Sequence, residues 1–266
     1  MKHFILNTLQ KEIRSKTLLF LFIFTVIVIY GAFAFVTNFM DANMPDGANN
    51  LSGGGTVKLF LSILGAWTSI LTILLGVGLC KNDEEENVLH QLLALPIKRS
   101  HYLLARIVGG VLLILSLYLF SSLFIMFLFS MKEQSIIGFV PLVSSLYSIT
   151  MMMSCVLMIS LFYSFYLPKV FAAIATLISL GFISNANSVY EGAGKWGIFL
   201  EGGLLTKLWG LVHTFLPPAG SWGTLNSMIL SDTLEWDRLL LVSGQSFFSF
   251  ILFFLFLNFL FNKREI

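Results

Sequence analysis

Six long runs of apolar residues constrain what this chain can fold into more than any other feature. Each run is close to the roughly 20 residues that an α-helix needs to cross the hydrocarbon core of a bilayer. The runs are continuous rather than alternating, which favours membrane-spanning helices over the strands of a membrane barrel. The six predicted spans cover residues 17–37, 59–80, 103–131, 136–165, 168–186 and 239–261.

The amino-acid composition excludes a soluble domain with a large core. Hydrophobic residues make up 57% of the chain and charged residues 11%, whereas soluble domains carry roughly 25% charged residues. The formal net charge is only +2, which gives no electrostatic basis for a nucleic-acid partner. The sequence therefore predicts an all-α integral membrane protein, with residues 1–266 forming a single transmembrane domain in a lipid bilayer.

The distribution of basic residues predicts the orientation of the spans. With six spans both termini lie on one side, and that side holds eleven of the sixteen Lys and Arg residues, including those of the loop 81–101. Because Lys and Arg accumulate in cytoplasmic loops, we expect both termini and this loop to be cytoplasmic. Residues 38–57 and 189–238 then face outward.

Two segments outside the spans have an amphipathic or half-apolar character. Residues 1–16 place Ile5, Leu9 and Ile13 at helical spacing, which favours an interfacial helix over a simple cytoplasmic extension of the first span. The outer region 189–238 is too interrupted to span, and it predicts a short re-entrant segment that stops at Pro217 and Pro218. Its four tryptophans are typical of an interfacial aromatic belt; they are Trp196, Trp209, Trp222 and Trp236.

The cytoplasmic stretch CKNDEEENVLHQLLALPIKRSHYLLAR, residues 80–106, carries an unusual density of charge. Four acids, residues 83–86, come first, and acids near a helix N-terminus complement its dipole. An amphipathic helix is predicted through NVLHQLLAL, and Pro96 ends it. Such a helix indicates a surface that another protein binds, although a plain connector between two spans is the alternative.

This stretch resembles the cytoplasmic segment of type 2 ABC-transporter permeases. The matching positions are Glu85, Glu86, Leu89, Leu92, Leu93, Ala94, Pro96, Ile97, Arg99, Tyr102 and Arg106. The Gly-Thr of the family is Asn87-Val88 here, which leaves the start of the helix undefined, since Val88 cannot cap a helix with a hydroxyl. The resemblance implies a coupling helix that docks into an ATPase subunit. The implied ATPase-coupling residues are Glu85, Glu86, Leu89, Leu92, Leu93, Pro96 and Arg99.

No phosphate-binding loop of the form G-x-x-x-x-G-K-(S/T) occurs in the chain. The chain is therefore predicted to be no enzyme, with no catalytic, cofactor-binding or metal site of its own, and ATP and Mg are expected on a partner ABC ATPase subunit. One six-span chain is half of the usual membrane domain of this family. The resemblance therefore implies a second permease copy, identical or related, in the bacterial inner (cell) membrane.

The fourth span holds a cluster of soft sulfur side chains. Met151, Cys155 and Met158 are spaced to share one helix face, together with Met152 and Met153 nearby. Thioether and thiol ligands suit Cu(I), but methionine more often fills gaps in apolar cores. Packing is therefore the favoured interpretation.

Two functions follow from the resemblance and from the spans. The confident spans carry no charge deep inside, whereas intramembrane charges usually mark ion pathways. This favours an ABC exporter driven by a separate ATPase over an ion-coupled transporter. The alternative is a non-transporting membrane anchor, or mechanotransmitter, that couples a cytoplasmic ATPase to periplasmic proteins.

Overall fold

The computed structural model describes residues 10, 17–43, 55–85, 99–131, 138–192, 204, 207, 210, 213, 215–230, 233 and 236–263. These residues contain seven α-helices with defined bounds and no strand. The helices are α1 (Thr17–Asn43), α2 (Gly55–Glu85), α3 (Arg99–Ser130), α4 (Phe139–Ser164), α5 (Lys169–Gly192), α6 (Ala219–Leu230) and α7 (Trp236–Lys263).

Five of the helices in the described part of the chain are long and apolar enough to cross a membrane. The five candidate spans are Leu59–Asp83, Arg99–Ser130, Val140–Ser164, Lys169–Asn187 and Trp236–Lys263. The apolar stretch of α1, Leu19–Phe35, is shorter. The prediction of an all-α membrane protein is consistent with this architecture, and the count of six spans stays a prediction.

Helix α4 lies at the centre of the bundle and packs against α2, α3, α5, α6 and α7. Small residues allow the closest approaches between backbones. A Cβ at Gly76 of α2 would lie 1.8 Å from the Oγ of Ser160 in α4, and one at Gly110 of α3 would lie 2.7 Å from a methyl carbon of Leu157. Glycine at these two positions therefore sets the spacing of α2, α3 and α4.

Large apolar side chains cover much of the outer surface of α5 and α7. Phe171 and Phe182 of α5 and Phe247, Phe248 and Phe259 of α7 each expose more than half of their surface. A soluble monomer rarely exposes contiguous apolar patches of this kind. The surface is therefore suited to contact with lipid acyl chains or with another apolar protein surface.

Helices α1 and α3 run in the same direction. The ring of Phe22 lies 4.4 Å from that of Phe120, and the ring of Phe33 lies 5.1 Å from that of Phe129, measured between centroids. Both helices therefore point away from the end of the bundle at which α3 begins. Because charged residues at the ends of α2, α3 and α5 meet there, this end is called the charged end below.

Helix α6 packs at the opposite end of the bundle. It begins directly after Pro217 and Pro218, whose fixed φ suits the first turn of a helix. The backbone N–H of Trp222 donates a hydrogen bond to the carbonyl oxygen of Pro218 at 3.2 Å. Single helical residues are also described at 204, 207, 210, 213 and 215. Helix α6 thus begins where the re-entrant segment is predicted to stop, and the re-entrant course of residues 189–238 stays a prediction.

Trp222 is a core residue, and its assignment to an interfacial belt is wrong. Its side chain is fully buried, and its Nε1 donates to the Oγ of Ser246 in α7 at 2.7 Å. The ring of Tyr147 meets it edge-on. Tryptophan is enriched at the membrane surface because its N–H finds a polar partner there, and here the buried Ser246 supplies that partner instead. Trp236 is 62% exposed, whereas Trp196 and Trp209 lie outside the described residues.

The sulfur-containing side chains of α4 fill the core. Met153, Cys155 and Met158 are buried, and the Sδ of Met153 accepts a hydrogen bond from the Oγ1 of Thr72 at 3.0 Å. Met158 packs in the core cluster that includes residues of α2, α3 and α7, whereas Cys155 packs in a second cluster with residues of α5 and α6. These positions favour the packing interpretation over a shared metal site.

Candidate functional site

The predicted coupling segment leaves and re-enters the bundle at the charged end. Helix α2 extends to Glu85 and α3 begins at Arg99, so both ends of the predicted loop 81–101 are helical. Glu85 and Arg99 therefore flank residues 86–98, which lie outside the described residues together with most of the predicted interfacial helix 1–16. The coupling residues in that segment, whose contact with an ATPase stays a prediction, are Glu86, Leu89, Leu92, Leu93 and Pro96.

The first acids of the stretch lie at the C-terminus of α2, and the start of the predicted helix that follows them lies outside the described residues. Asp83 and Glu85 occupy the last turn of α2, where the helix dipole disfavours negative charge. Basic side chains of other helices compensate for this unfavourable interaction. Arg106 of α3 pairs with Asp83, and Lys169 of α5 pairs with Glu85.

Asp83 forms the buried part of the site. Its Oδ2 accepts hydrogen bonds from the hydroxyl of Tyr102 and from the guanidinium of Arg106, and all three side chains are almost fully buried. The Cζ of Arg106 also lies 5.6 Å from the centroid of the Tyr102 ring. A carboxylate removed from water requires such charged and hydrogen-bonded partners. The contact joins the end of α2 directly to the first two turns of α3.

Glu85 forms a second, more exposed contact. The Nζ of Lys169, the first residue of α5, lies 2.5 Å from the Oε2 of Glu85, and the two side chains expose 41% and 52% of their surface. Glu85 lies at a helix C-terminus and Lys169 at a helix N-terminus, so each charge opposes the dipole of its own helix and favours that of the other. The pair joins α2 to α5.

Arg99 forms the third contact, on the other side of the segment. Its Nη1 donates to the carbonyl oxygens of Phe261 and Asn262 at 3.2 and 3.4 Å. The last carbonyls of a helix lack partners within the helix, and basic side chains satisfy them. The ring of Phe261 stacks on that of Tyr102 at 5.9 Å and on that of Phe165 at 5.6 Å. These contacts join α3 to the end of α7 and to the end of α4.

The three contacts together are called the loop clamp; its residues are Asp83, Glu85, Arg99, Tyr102, Arg106 and Lys169. Its contacts join four helices, α2, α3, α5 and α7, and two of its residues, Glu85 and Arg99, flank the segment 86–98. Sequence reasoning named Glu85 and Arg99 but missed the pairing of Asp83 with Tyr102 and Arg106. The four-residue spacing of the last two, which places both on one helix face, was the available signal. The sequence gave no indication of the role of Lys169, because its partner Glu85 lies 84 residues away.

The loop clamp binds the ends of several helices together. In the part of the chain that the structure describes, no group of three or more His, Cys, Asp or Glu side chains could hold a metal ion. The site combines a buried carboxylate, exposed charges and the two ends of one segment. This arrangement can hold the two flanks of that segment in fixed positions relative to the bundle.

Comparison with known proteins identifies the family. Searches of curated proteins and of solved structures gave no match. A family model described as ABC-2 family transporter protein matches residues 5–264, which is almost the whole chain. This result agrees with the apolar helices and with the permease-like segment at the charged end. The chain belongs to the ABC-2 family of transporter proteins.

Proposed function

We propose that the chain is the transmembrane subunit of an ABC exporter that is driven by ATP hydrolysis in a separate ATPase subunit. The observation that carries the proposal is the loop clamp, because it ties both flanks of the segment 86–98 to further helix ends. ATP and Mg²⁺ bind to the partner subunit and not to this chain, which lacks a phosphate-binding loop.

The loop clamp gives a route for mechanical coupling. An ATPase that pulls on residues 86–98 displaces the end of α2 and the start of α3 together, because Asp83 joins them. Lys169 passes the displacement to α5, and Arg99 passes it to α7. Packed helices respond to such a displacement by discrete shifts rather than by continuous deformation.

The charged end faces the cytoplasm in this proposal, and the membrane is the bacterial inner membrane. Eleven of the sixteen basic residues belong to that side by the six-span assignment. A second permease copy, identical or related, completes the membrane domain, and the exposed apolar faces of α5 and α7 contact lipid or that copy. The uncharged interiors of the spans suit an apolar or amphipathic cargo.

The docking surface consists of an apolar centre and a charged rim. Leu92, Leu93 and Pro96 fill an apolar cleft of the ATPase, and Glu85, Glu86 and Arg99 orient the contact from its edge. Buried anchors carry most of the energy of an interface, whereas charges at its rim tune association.

Substitution of one anchor tests the docking surface. Leu92→Asp buries an unpaired charge at the interface, at a cost of about 3–5 kcal/mol, and we expect it to abolish co-purification of the ATPase with the chain. Glu84→Ala is the control, since loss of a charge outside the apolar centre changes the binding energy by at most about 1 kcal/mol. A Leu92→Asp chain that retains the ATPase with wild-type yield and activity would contradict the proposal.

Reconstitution separates export from mechanical transmission. The purified complex is placed in vesicles with the ATPase outside, and the accumulation of lipid-like and amphipathic compounds inside the vesicles is measured with ATP and without it. ATP-dependent accumulation supports an exporter. ATP hydrolysis without any transport supports a membrane anchor that acts on periplasmic proteins, and saturable ATP binding by the isolated chain contradicts both.

A further inference from the structure

We propose that Asp83, together with Tyr102 and Arg106, is a positioning site that holds the segment 86–98 ready to receive the ATPase. This inference rests on the proposed function and goes beyond it, because it assigns part of the affinity for the ATPase to residues that do not touch the ATPase. It concerns the buried carboxylate of the loop clamp rather than the exposed residues of the docking surface.

The position of Asp83 suits this role. It precedes the segment by three residues, and its two partners follow the segment by four and eight residues. The carboxylate therefore closes a ring formed by the end of α2, the segment and the start of α3. Since Oδ2 receives both hydrogen bonds, the two flanks of the segment have one preferred register relative to each other.

A buried ion pair is not needed for stability at such a place. Well-packed apolar residues of similar volume usually stabilise a fold equally well or better. Apolar contacts are not directional, so two helices joined by them can slide or rotate against each other. A carboxylate that accepts hydrogen bonds from a hydroxyl and a guanidinium fixes the relative position of the three groups. The buried pair therefore contributes a fixed geometry of the two flanks.

A fixed geometry at both flanks increases affinity for the ATPase. A segment that is ordered only on binding loses conformational freedom at that moment, and this loss weakens the complex. A segment whose ends are already in register loses less. The exposed Glu85–Lys169 pair cannot supply the same constraint alone, because solvated ion pairs are weak and mobile.

The test replaces the buried pair by apolar residues in the intact complex. The chain is placed in lipid nanodiscs, and its dissociation constant is measured for the ATPase that co-purifies with it from native membranes. We expect the double variant Asp83→Leu with Arg106→Met to raise the dissociation constant by about tenfold or more while its melting temperature stays within the wild-type range. The conservative variant Arg106→Lys retains the positive charge beside Asp83, and we expect it to keep most of the wild-type affinity.

Thr25→Val is the matched control. Thr25 is equally buried, and its Oγ1 accepts a hydrogen bond from the Nε1 of Trp67 in α2 at 3.1 Å, but it lies away from the segment. We expect this variant to bind the ATPase as the wild-type chain does.

The outcomes separate this inference from the proposed function. If no ATPase binds to the wild-type chain, the proposed function itself is overturned. If the wild-type chain binds and the double variant binds with equal affinity, only the positioning role is overturned. A double variant that melts early, while its folded fraction binds normally, identifies the buried pair as a purely structural contact and also overturns the inference.

Discussion

Charged side chains at the charged end oppose the dipoles of the helices that carry them. Asp83 and Glu85 lie at a helix C-terminus, and Lys169 lies at a helix N-terminus. The unfavourable dipole interaction is worth about 0.3–1 kcal/mol for each charge. Breaking a buried ion pair costs about 3–5 kcal/mol. Contacts between helices therefore outweigh the local dipole at Asp83 and decide where the carboxylate lies.

Asp83 and Glu85 provide a direct comparison of a buried and an exposed carboxylate. Asp83→Ala leaves the guanidinium of Arg106 buried without its carboxylate, and we expect a loss of about 3–5 kcal/mol in the free energy of unfolding. Glu85→Ala breaks a half-exposed pair, and we expect a loss of at most about 1 kcal/mol. Denaturant unfolding in detergent micelles measures both, and equal losses would show that burial of the pair is irrelevant.

We expect His213 to make the end of the bundle opposite the charged end sensitive to pH. Burial lowers the pKa of this histidine from its ordinary value of 6.5, and its Nδ1 lies 2.6 Å from the Oδ1 of Asn187. In the unfolded chain this histidine has its ordinary pKa, so as the pH falls through 6.5 it takes up a proton more readily than in the folded chain. The folded state therefore loses stability as the pH falls through 6.5 towards the lowered pKa.

The expected result is a melting temperature that decreases between about pH 7.5 and about pH 5.5 more steeply in the wild-type chain than in His213→Gln. Thermal unfolding of both chains at the two values, on the same detergent preparation, measures the difference. Because glutamine does not titrate, the variant retains only the pH dependence of the other groups. If the melting temperature changed equally with pH in the two chains, burial would not lower the pKa of His213.

At the scale of elements, the contact between α2 and α4 depends on the absence of a side chain at Gly76. A Cβ there would lie 1.8 Å from the Oγ of Ser160 and 3.3 Å from the carbonyl oxygen of Leu157. Gly76→Ala therefore forces the two helices apart, and we expect a loss of about 1–3 kcal/mol in the free energy of unfolding. Denaturant unfolding of the variant and of the wild-type chain in the same detergent measures this loss.

Two further variants control this prediction. A Cβ at Gly181 of α5 would have no atom within 4 Å, so Gly181→Ala should be neutral or slightly stabilising, as alanine is in a helix. Ser160→Gly removes the obstructing hydroxyl, and combined with Gly76→Ala it should recover part of the lost stability. Without such recovery, the contact with Ser160 would not be the cause.

Helix α6 is fixed to its neighbours by buried polar contacts. The Nε1 of Trp222 donates to Ser246 in α7 at 2.7 Å, and the Oγ of Ser145 in α4 donates to the Oδ1 of Asn226 at 2.8 Å. Ser246→Ala leaves the buried indole N–H without an acceptor, and we expect a loss of about 1–3 kcal/mol. Ser243→Ala removes an acceptor from the exposed hydroxyl of Tyr147 and should cost much less. Denaturant unfolding of the two variants checks the ranking.

Elements and sites differ in how far the sequence predicts them. The spans follow from hydropathy, because any helix in a bilayer must be apolar along its length. The environment of Trp222 does not follow, since its acceptor Ser246 becomes a neighbour only when α6 packs against α7. The same holds for Asp83, whose partners lie on the far side of the segment 86–98. Contacts between distant residues decided both cases, and local rules contain no information on such contacts.

At the scale of the whole molecule, the packing of α1, α3 and α7 fixes the directions in which these helices run. Helix α1 runs in the same direction as α3, away from the charged end, since their aromatic contacts advance together. Helix α7 ends there, since Phe261 stacks on Tyr102. The distribution of basic residues favours a cytoplasmic position for this end, whereas α3 ends on the opposite side of the bundle.

Single cysteines at the two ends test this orientation. Both native cysteines are buried, so a cysteine at an exposed position reacts alone with a membrane-impermeant maleimide. Met131→Cys, at a site that is 70% exposed just after α3, should react in intact cells, because it faces outward. Lys263→Cys, at the last residue of α7, should react only after the membrane is permeabilised, because it faces the cytoplasm. The opposite result is reaction of the Lys263→Cys chain in intact cells and protection of the Met131→Cys chain. It would mean that the chain has the inverse orientation in the membrane, with the loop clamp on the side that a cytoplasmic ATPase cannot reach.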